Sequence, residues 1–243
     1  MKLTRGVPLV GSGEIGLSDA WDAHVYLLDG GSDLALIDAG CGQRDSVDRI
    51  LENVREDGLD ASRISSLLLT HWHPDHSGGA SRLRERLAPR LRVHAPAAEQ
   101  ATIEGALQPG LTACPVDVPL AHDQEVQVGS LRMRAIHVPG HSSGSMCYLV
   151  RVPDGAALFT GDVVFMNGIL GLLNHPDSHL DQYRASFERL MSLDVEMLFP
   201  GHMLFFLRGA RRHIERAAEA LQRGFVPYSV GQLGIDFLPP QRM

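Results

Sequence analysis

The sequence predicts an α/β fold built as a single domain over residues 1–243, with short buried strands alternating with amphipathic helices. Runs rich in leucine and β-branched residues recur along the chain, bounded by glycine and proline, and helical patterns fall between them. With 243 residues, 44% hydrophobic and 21% charged, the chain is long enough for one large core and has an ordinary globular composition. Periodicity alone leaves open whether the strands form two sheets or one large sheet covered by helices.

The first two thirds of the chain contain predicted strands and one clear helix. A helix is predicted over Asp45–Asp57, because its apolar residues recur at intervals of three and four and Gly58 provides a stop. Five runs are predicted as strands, several of them buried on both faces: Leu34–Ile37, Leu67–Thr70, Leu131–Val138, Met146–Val150 and Ala156–Thr160.

Two further helices are predicted in the last third of the chain. One runs from about Ser178, a candidate N-cap, to Met191, and the other covers about 208–222. Residues 95–130 have weak periodicity and several prolines and glycines, which predicts a short helix near 97–107 followed by an irregular connection.

Charge and hydropathy exclude several classes of protein. The formal net charge of −7 disfavours a nucleic acid partner, because a phosphate backbone would be repelled. The sequence has no run of 18 apolar residues and no signal-peptide pattern near Met1, so we expect no membrane association and a cytoplasmic location. The sequence does not indicate an oligomeric state.

Four residues that can bind metal lie within six positions, directly after a predicted buried strand. The segment is His71-Trp72-His73-Pro74-Asp75-His76. In an extended turn His71 and His73 point to one side, while Asp75 and His76 leave in other directions. A catalytic metal takes about three protein ligands and keeps one position open for water. The segment therefore supplies two incomplete ligand sets that distant residues must complete.

Three distant segments place a ligand type after a strand and a glycine turn. They are Pro139-Gly140-His141, Thr160-Gly161-Asp162 and Pro200-Gly201-His202. Glycine lets the backbone bend sharply at such a position. Each motif alone is also typical of a simple strand-ending turn, but the three together, after the histidine-rich segment, indicate one site. Imidazole and carboxylate ligands suit Zn²⁺ and also Fe or Mn.

The order HxHxDH, PGH, TGD and PGH resembles the metallo-β-lactamase superfamily over about residues 34–202. The resemblance implies a four-layer αββα sandwich with two divalent metal ions per chain, zinc being the expected metal. By this resemblance the first ion is held by His71, His73 and His141, the second by Asp75, His76 and His202, and Asp162 bridges them. Asp38 resembles the family's acidic residue at the end of an early strand, which fixes a loop rather than binding metal.

The resemblance also implies a reaction on a small-molecule substrate. We expect hydrolysis of an ester, lactone or thioester by attack of a metal-bound hydroxide on the carbonyl carbon. Two ions about 3.5–4 Å apart lower the pKa of a shared water toward about 7, and one polarises the carbonyl oxygen. Asp75 is the predicted catalytic residue, because its carboxylate can take up and return the proton.

Different branches of the family leave alternatives open. Glyoxalase II-like thioester hydrolases and lactonases share all seven ligands. The stretch after His202 is short for the helical domain of the former, and Phe165 stands where the latter tend to have tyrosine. True β-lactamases usually lack the bridging aspartate or the second-metal histidine. A β-lactamase, a phosphodiesterase or ribonuclease, and a non-catalytic metal-binding protein remain as alternatives, the last disfavoured by the complete ligand set.

Several residues near the motifs have two interpretations. The apolar loop 163–173 either packs in the core or lines a pocket for a hydrophobic substrate. His175 and His179 either mark the entry of a helix or reach the substrate. The other histidines are expected in the core or on the surface: His24, His94, His122, His137 and His213.

Overall fold

A computed structural model describes residues 1–232 of the chain, and in that range the strands form two sheets. The seven-stranded sheet contains, in both spatial and chain order, β1 (Lys2–Thr4), β2 (Val7–Gly11), β3 (Val25–Asp29), β4 (Leu34–Ile37), β5 (Ile64–Leu68), β6 (Arg92–Pro96) and β7 (Val118–Leu120). The five-stranded sheet has the spatial order β12-β11-β10-β9-β8 and contains β8 (Glu125–Val128), β9 (Leu131–His137), β10 (Met146–Val152), β11 (Gly155–Gly161) and β12 (Met197–Pro200).

Helices cover the outer faces of both sheets. The α-helices are α1 (Ser46–Glu56), α2 (Pro74–Ser77), α3 (Ala80–Leu87), α4 (Gln100–Gly105), α5 (Leu180–Met191) and α6 (Ala210–Gln222). Short 3-10 helices occur at Ala61–Arg63, Ala97–Glu99 and Met166–Gly168. Among these helices, none is both long enough and apolar enough to cross a lipid bilayer.

The core has three layers, because successive strand residues point to opposite faces of a sheet. In β4, Leu34 and Leu36 pack with α1 and α3, whereas Ala35 and Ile37 face the second sheet. In the second sheet Phe159 faces the inter-sheet layer, and Leu158 packs against α5 and α6. The predicted four-layer αββα sandwich is therefore confirmed.

Strand direction gathers the predicted ligands at one end of both sheets. Strands β4 and β5 are parallel. In the other sheet β9, β11 and β12 run in one direction, because β10 is antiparallel to both β9 and β11 and β12 is parallel to β11. Two tyrosine side chains also join the sheets here, since the Tyr148 hydroxyl donates to the Leu69 carbonyl at 2.6 Å and the Tyr26 hydroxyl to the Pro200 carbonyl at 2.7 Å.

Most predicted elements are found with small shifts at their ends. The strand predicted at Leu67–Thr70 instead covers Ile64–Leu68, so Thr70 already belongs to the ligand loop. The prediction of Ser178 as an N-cap is wrong: α5 begins at Leu180, and the Ser178 hydroxyl donates to the Gly140 carbonyl at 3.0 Å. The single domain predicted for 1–243 stays a prediction, and 233–243 lie outside the described residues.

Candidate metal centre

The structure brings all seven predicted ligands together in one buried cluster. Each of these residues is at most 4% exposed. Their ligand atoms fall into three groups, within each of which all the atoms lie within 4.8 Å of one another: His71 with His73 and His141, His71 with His76 and Asp162, and Asp75 with His76 and His202. The first and last groups are the two ligand sets that the family resemblance implies, and the middle group contains the implied bridging aspartate.

Three imidazole nitrogens converge in the first group. Nε2 of His141 lies 3.1 Å from Nε2 of His71 and 2.8 Å from Nδ1 of His73. Tetrahedral Zn–N bonds of about 2.0–2.1 Å would place two nitrogens about 3.4 Å apart. The donor set and its spacing therefore fit a zinc-sized ion after shifts of a few tenths of an ångström.

Two carboxylates and two imidazoles converge beside the first group. We call these residues the second group: Asp75, Asp162, His76 and His202. Nε2 of His202 lies 3.0 Å from Oδ2 of Asp75 and 3.7 Å from Oδ2 of Asp162. Nε2 of His76 lies 3.2 Å from Oδ1 of Asp162. Asp162 also comes within 3.7 Å of His141 in the first group, so its carboxylate lies between the two groups.

In several of the candidate histidine ligands, the ring nitrogen that faces away from the cluster forms a hydrogen bond. The nitrogen that faces the cluster is then left without a proton. Nδ1 of His141 donates to the Gly171 carbonyl at 2.5 Å, and Nδ1 of His76 donates to Asp38 at 2.7 Å. Nδ1 of His71 lies 3.0 Å from the Thr70 hydroxyl. These partners select the tautomer whose Nε2 lone pair faces the cluster, as metal binding requires.

Asp38 organises this far side from the end of β4. Its Oδ1 accepts from the Thr70 backbone N–H at 2.7 Å, and its Oδ2 accepts from the Thr70 hydroxyl at 2.8 Å and from His76. Its backbone is left-handed, with φ of 63°, a conformation that aspartate tolerates better than most residues. The predicted loop-fixing role agrees with these contacts.

The electrostatics of the cluster separate its histidines into two kinds. Burial lowers the pKa of His71 and His73 well below the usual value, so both rings are neutral. Burial also acts on His202, but the carboxylates of Asp162 and Asp75 outweigh it and raise its pKa to about 9. Asp162 itself has a lowered pKa, because nearby His202 and His76 overcome the effect of its burial. The carboxylates therefore favour positively charged partners on this side of the cluster, whereas the all-histidine group offers neutral nitrogens.

Two observations show whether the cluster fits a metal: buried polar atoms that lack hydrogen bonds, and the close contact of the Gly201 backbone with the candidate ligands. Nε2 of His76 and Oδ1 of Asp162 are buried and form no hydrogen bond with any residue among 1–232. A Cβ on Gly201 would come within 2.5 Å of Oδ1 of Asp162 and of Cε1 of His76, so only glycine fits there. Cations satisfy buried imidazole and carboxylate atoms of this kind, and the residues present therefore fit two divalent ions.

Sequence reasoning missed two carboxylates that join the ligand loops of the first group. Oε1 of buried Glu99 accepts from the Ser142 hydroxyl at 2.5 Å and from the Gly144 N–H at 2.9 Å. Asp177 accepts from the Trp72 indole N–H and from the Ser143 N–H, both at 3.1 Å. We call Glu99 and Asp177 the carboxylate clamp.

A third missed carboxylate lies beside the second group. Oε1 of Glu14 is 3.4 Å from Nδ1 of His202, and both of its oxygens accept from the Met203 N–H, at 3.0 and 2.9 Å. His24 supports the same turn, since its Nε2 lies 2.9 Å from the Met203 carbonyl and its backbone N–H donates to the Gly201 carbonyl at 2.7 Å. No spacing signal in the sequence connects these residues to His202.

The structure separates the interpretations left open for nearby residues. In the apolar loop, Val164 and Leu170 are fully buried against the α5–α6 layer, which favours core packing, while the Phe165 ring lies 6.4 Å from that of His202. His179 occupies the N-cap position of α5, which favours helix entry. The His175 ring lies 6.1 Å from that of Trp72.

The remaining histidines lie in the core or on the surface, as expected. His24, His94 and His213 are buried, and His137 is half-buried while His122 is exposed. None of the five belongs to a metal-binding group among the described residues.

Comparison with known proteins gives a family and several relatives. Residues 19–202 match the family model of the metallo-β-lactamase superfamily. An atrochrysone carboxyl ACP thioesterase of Aspergillus fumigatus is 30% identical over 207 residues, which are 82% of this chain and 56% of that protein. Another, from Cryptosporiopsis, is 31% identical over 74% of this chain and 48% of that protein. The chain spans about half the length of these curated relatives.

Solved structures agree at the level of the fold. The subclass B3 metallo-β-lactamase BJP-1 of Bradyrhizobium japonicum superposes with a TM-score of 0.73 at 22% identity, covering 92% of this chain and 90% of that chain. At this identity the likeness concerns the fold alone.

Proposed function

Because this chain belongs to the metallo-β-lactamase superfamily, we propose that it is a dinuclear metal-dependent hydrolase that cleaves an acyl thioester, or an ester or lactone. The observation that carries the proposal is the convergence of five histidines and two aspartates on one buried centre. The names of its curated relatives favour a thioester held by an acyl carrier protein as the substrate. The cytoplasmic location stays a prediction of the sequence.

The distances between ligand atoms divide the proposed ligands into two sets, one for each ion. His71, His73 and His141 would hold one ion, Asp75, His76 and His202 the other, and Asp162 would contact both. The donors are imidazole nitrogens and carboxylate oxygens, which supports zinc as the metal. When bound, two such ions lower the pKa of a water molecule and polarise the carbonyl oxygen of the substrate.

The protein's own residues orient the reaction and move its proton. The outward hydrogen bonds of His71, His76 and His141 fix each ring, so the inward nitrogens keep their positions. The Asp75 carboxylate accepts the proton of the attacking water and returns it to the leaving sulfur or oxygen. Because the cluster is buried, these groups act in a low dielectric, where their effect on developing charge is large.

A metal analysis combined with a substrate panel tests the proposal. Purified protein is analysed by elemental mass spectrometry and assayed against a thioester, a lactone, a β-lactam and a phosphodiester. We expect about two zinc ions per chain and preferential carbonyl hydrolysis. Asp162→Ala should lose both, whereas Asp194→Asn, at an exposed residue, should lose neither. Full turnover in Asp162→Ala, or turnover of the phosphodiester alone, would overturn the proposal.

A further inference from the structure

Three arginines before or within α6 lack the acidic partners that most other arginines have. Among residues 1–232 most of the other arginines form ion pairs, such as Arg84 with Asp117. In contrast, Arg208, Arg212 and Arg216 are exposed and form no ion pair within the described residues. Arg212 and Arg216 lie one turn apart on the same face of α6, and Arg208 lies two residues before the first residue of that helix.

Exposed apolar side chains concentrate in the same part of the sequence. Of the eight large hydrophobic residues that are exposed within 1–232, five lie between Leu204 and Tyr228. Phe225 and Tyr228 are 66% and 73% exposed. Aromatic residues and arginine are the types enriched in the cores of protein interfaces. We call Arg208, Arg212, Arg216, Phe225 and Tyr228 the basic–apolar surface.

This surface is connected to the metal centre through the apolar loop. Arg216 and Tyr228 line a groove together with Ile169. The Leu170 N–H donates to the Tyr228 carbonyl at 2.8 Å, and the next residue, Gly171, accepts from the His141 ring. The groove and the centre therefore lie on two sides of one short backbone segment.

We propose that the basic–apolar surface docks an acidic carrier protein that presents the acyl thioester to the metal centre. This inference rests on the proposed thioester hydrolysis. The chain as a whole has a net charge of −7 and would repel an acidic partner. The exposed arginines place positive charge at this face, which would attract an acidic partner, and the exposed apolar residues supply contact area that is desolvated on binding.

Charge reversal on matched surfaces tests the docking. The variant carries Arg208→Glu, Arg212→Glu and Arg216→Glu. The control carries Arg55→Glu, Arg92→Glu and Arg151→Glu, which are exposed, also lack ion pairs within residues 1–232 and change the net charge equally. Each protein is assayed with one acyl group attached to an acidic acyl carrier protein and to N-acetylcysteamine.

The two substrates separate docking from chemistry. For the variant, kcat/KM should fall at least tenfold with the carrier and change less than twofold with N-acetylcysteamine. The control should change less than twofold with both. Rising salt should slow the wild type on the carrier substrate and leave the variant unaffected. An equal loss in variant and control would overturn the inference, since it would reflect net charge alone.

A binding measurement distinguishes failure of the docking from failure of the proposed function. Binding of the carrier with a non-hydrolysable amide in place of the thioester is followed by fluorescence anisotropy. Equal affinity for wild type and variant overturns the docking even if thioesters are cleaved. Tighter binding to wild type supports it even if none is cleaved. Binding of the wild type to vesicles of phosphatidylserine and phosphatidylcholine, lost in the variant, without any binding to the carrier, would assign the surface to membranes and overturn the proposal.

Discussion

Replacing Glu99 by alanine should weaken one metal site more than the other. The variant removes an acceptor from the Ser142 hydroxyl and from the Gly144 N–H. The Ser142 hydroxyl keeps a partner in Ser145 at 2.7 Å, so losing its hydrogen bond to Glu99 costs about 1 kcal/mol. The Gly144 N–H is buried and would have no acceptor, which costs about 1–3 kcal/mol. We therefore expect the free energy of unfolding to fall by about 2–4 kcal/mol.

The effect on metal binding follows from where the carboxylate clamp acts. Ser142 directly follows His141, so a looser loop disturbs the first ligand set. Loss of such outer contacts typically lowers metal affinity about 10–100-fold. Competition with a chromophoric chelator would measure both dissociation constants, and His141→Ala and His202→Ala would identify which step belongs to which site. The dissociation constant of the metal site that contains His202 should change less than threefold.

Glu99 should also make the free energy of unfolding of the metal-free protein depend on pH. Burial raises the pKa of Glu99 to about 7, so between about pH 4.5 and 7 the folded state holds a proton that the unfolded state has released. Stability from this group is thus lost as pH rises through that window. Relative to Glu99→Gln, the wild type should lose on the order of 2–3 kcal/mol from pH 5 to 8 in urea titrations. Parallel pH profiles, or equal weakening of both metal sites in Glu99→Ala, would refute the reasoning.

Three further perturbations have expected outcomes. Asp38→Asn turns an amide donor toward either the Thr70 or the His76 N–H, and chelator competition should show an affinity loss of about 10–100-fold for the second ion. Gly201→Ala drives a methyl group into Asp162 and His76, so two-metal binding measured by mass spectrometry should be lost while the fold persists by circular dichroism. Removing metal from wild type should lower Tm by about 5–15 °C, since ions at 100–1,000 times Kd stabilise by about 2.7–4.1 kcal/mol, and an unchanged Tm would contradict tight binding.

The clustering of the seven candidate ligands was predictable because each of them is encoded locally. His141, Asp162 and His202 each follow a buried strand and a glycine turn, and such turns at the carboxyl ends of strands that run in one direction meet at one edge. Burial patterns of the strands then give the layers. A single sequence thus contains the information that places these residues near one another.

The clamp and the support of His202 were not predictable in the same way. Glu99 contacts residues 43 and 45 positions away, within a stretch whose periodicity is weak. One of these two partners is a backbone N–H group, which leaves no trace in residue identity. The mistaken N-cap at Ser178 has a related cause, because a tertiary contact with Gly140 uses the hydroxyl that local propensity assigns to the helix.

The position of the centre between the two sheets has a mechanical consequence. On the proposed assignment, each ion takes ligands from both sheets: His71 with His141 for one, and His76 with His202 for the other. Metal would then act as a cross-link, comparable to a disulfide, that closes a long loop and penalises any opening in which the sheets separate. Slow amide exchange in the metal-loaded protein should therefore extend from the strands of one sheet into those of the other, so that the two halves of the sandwich open as one cooperative unit.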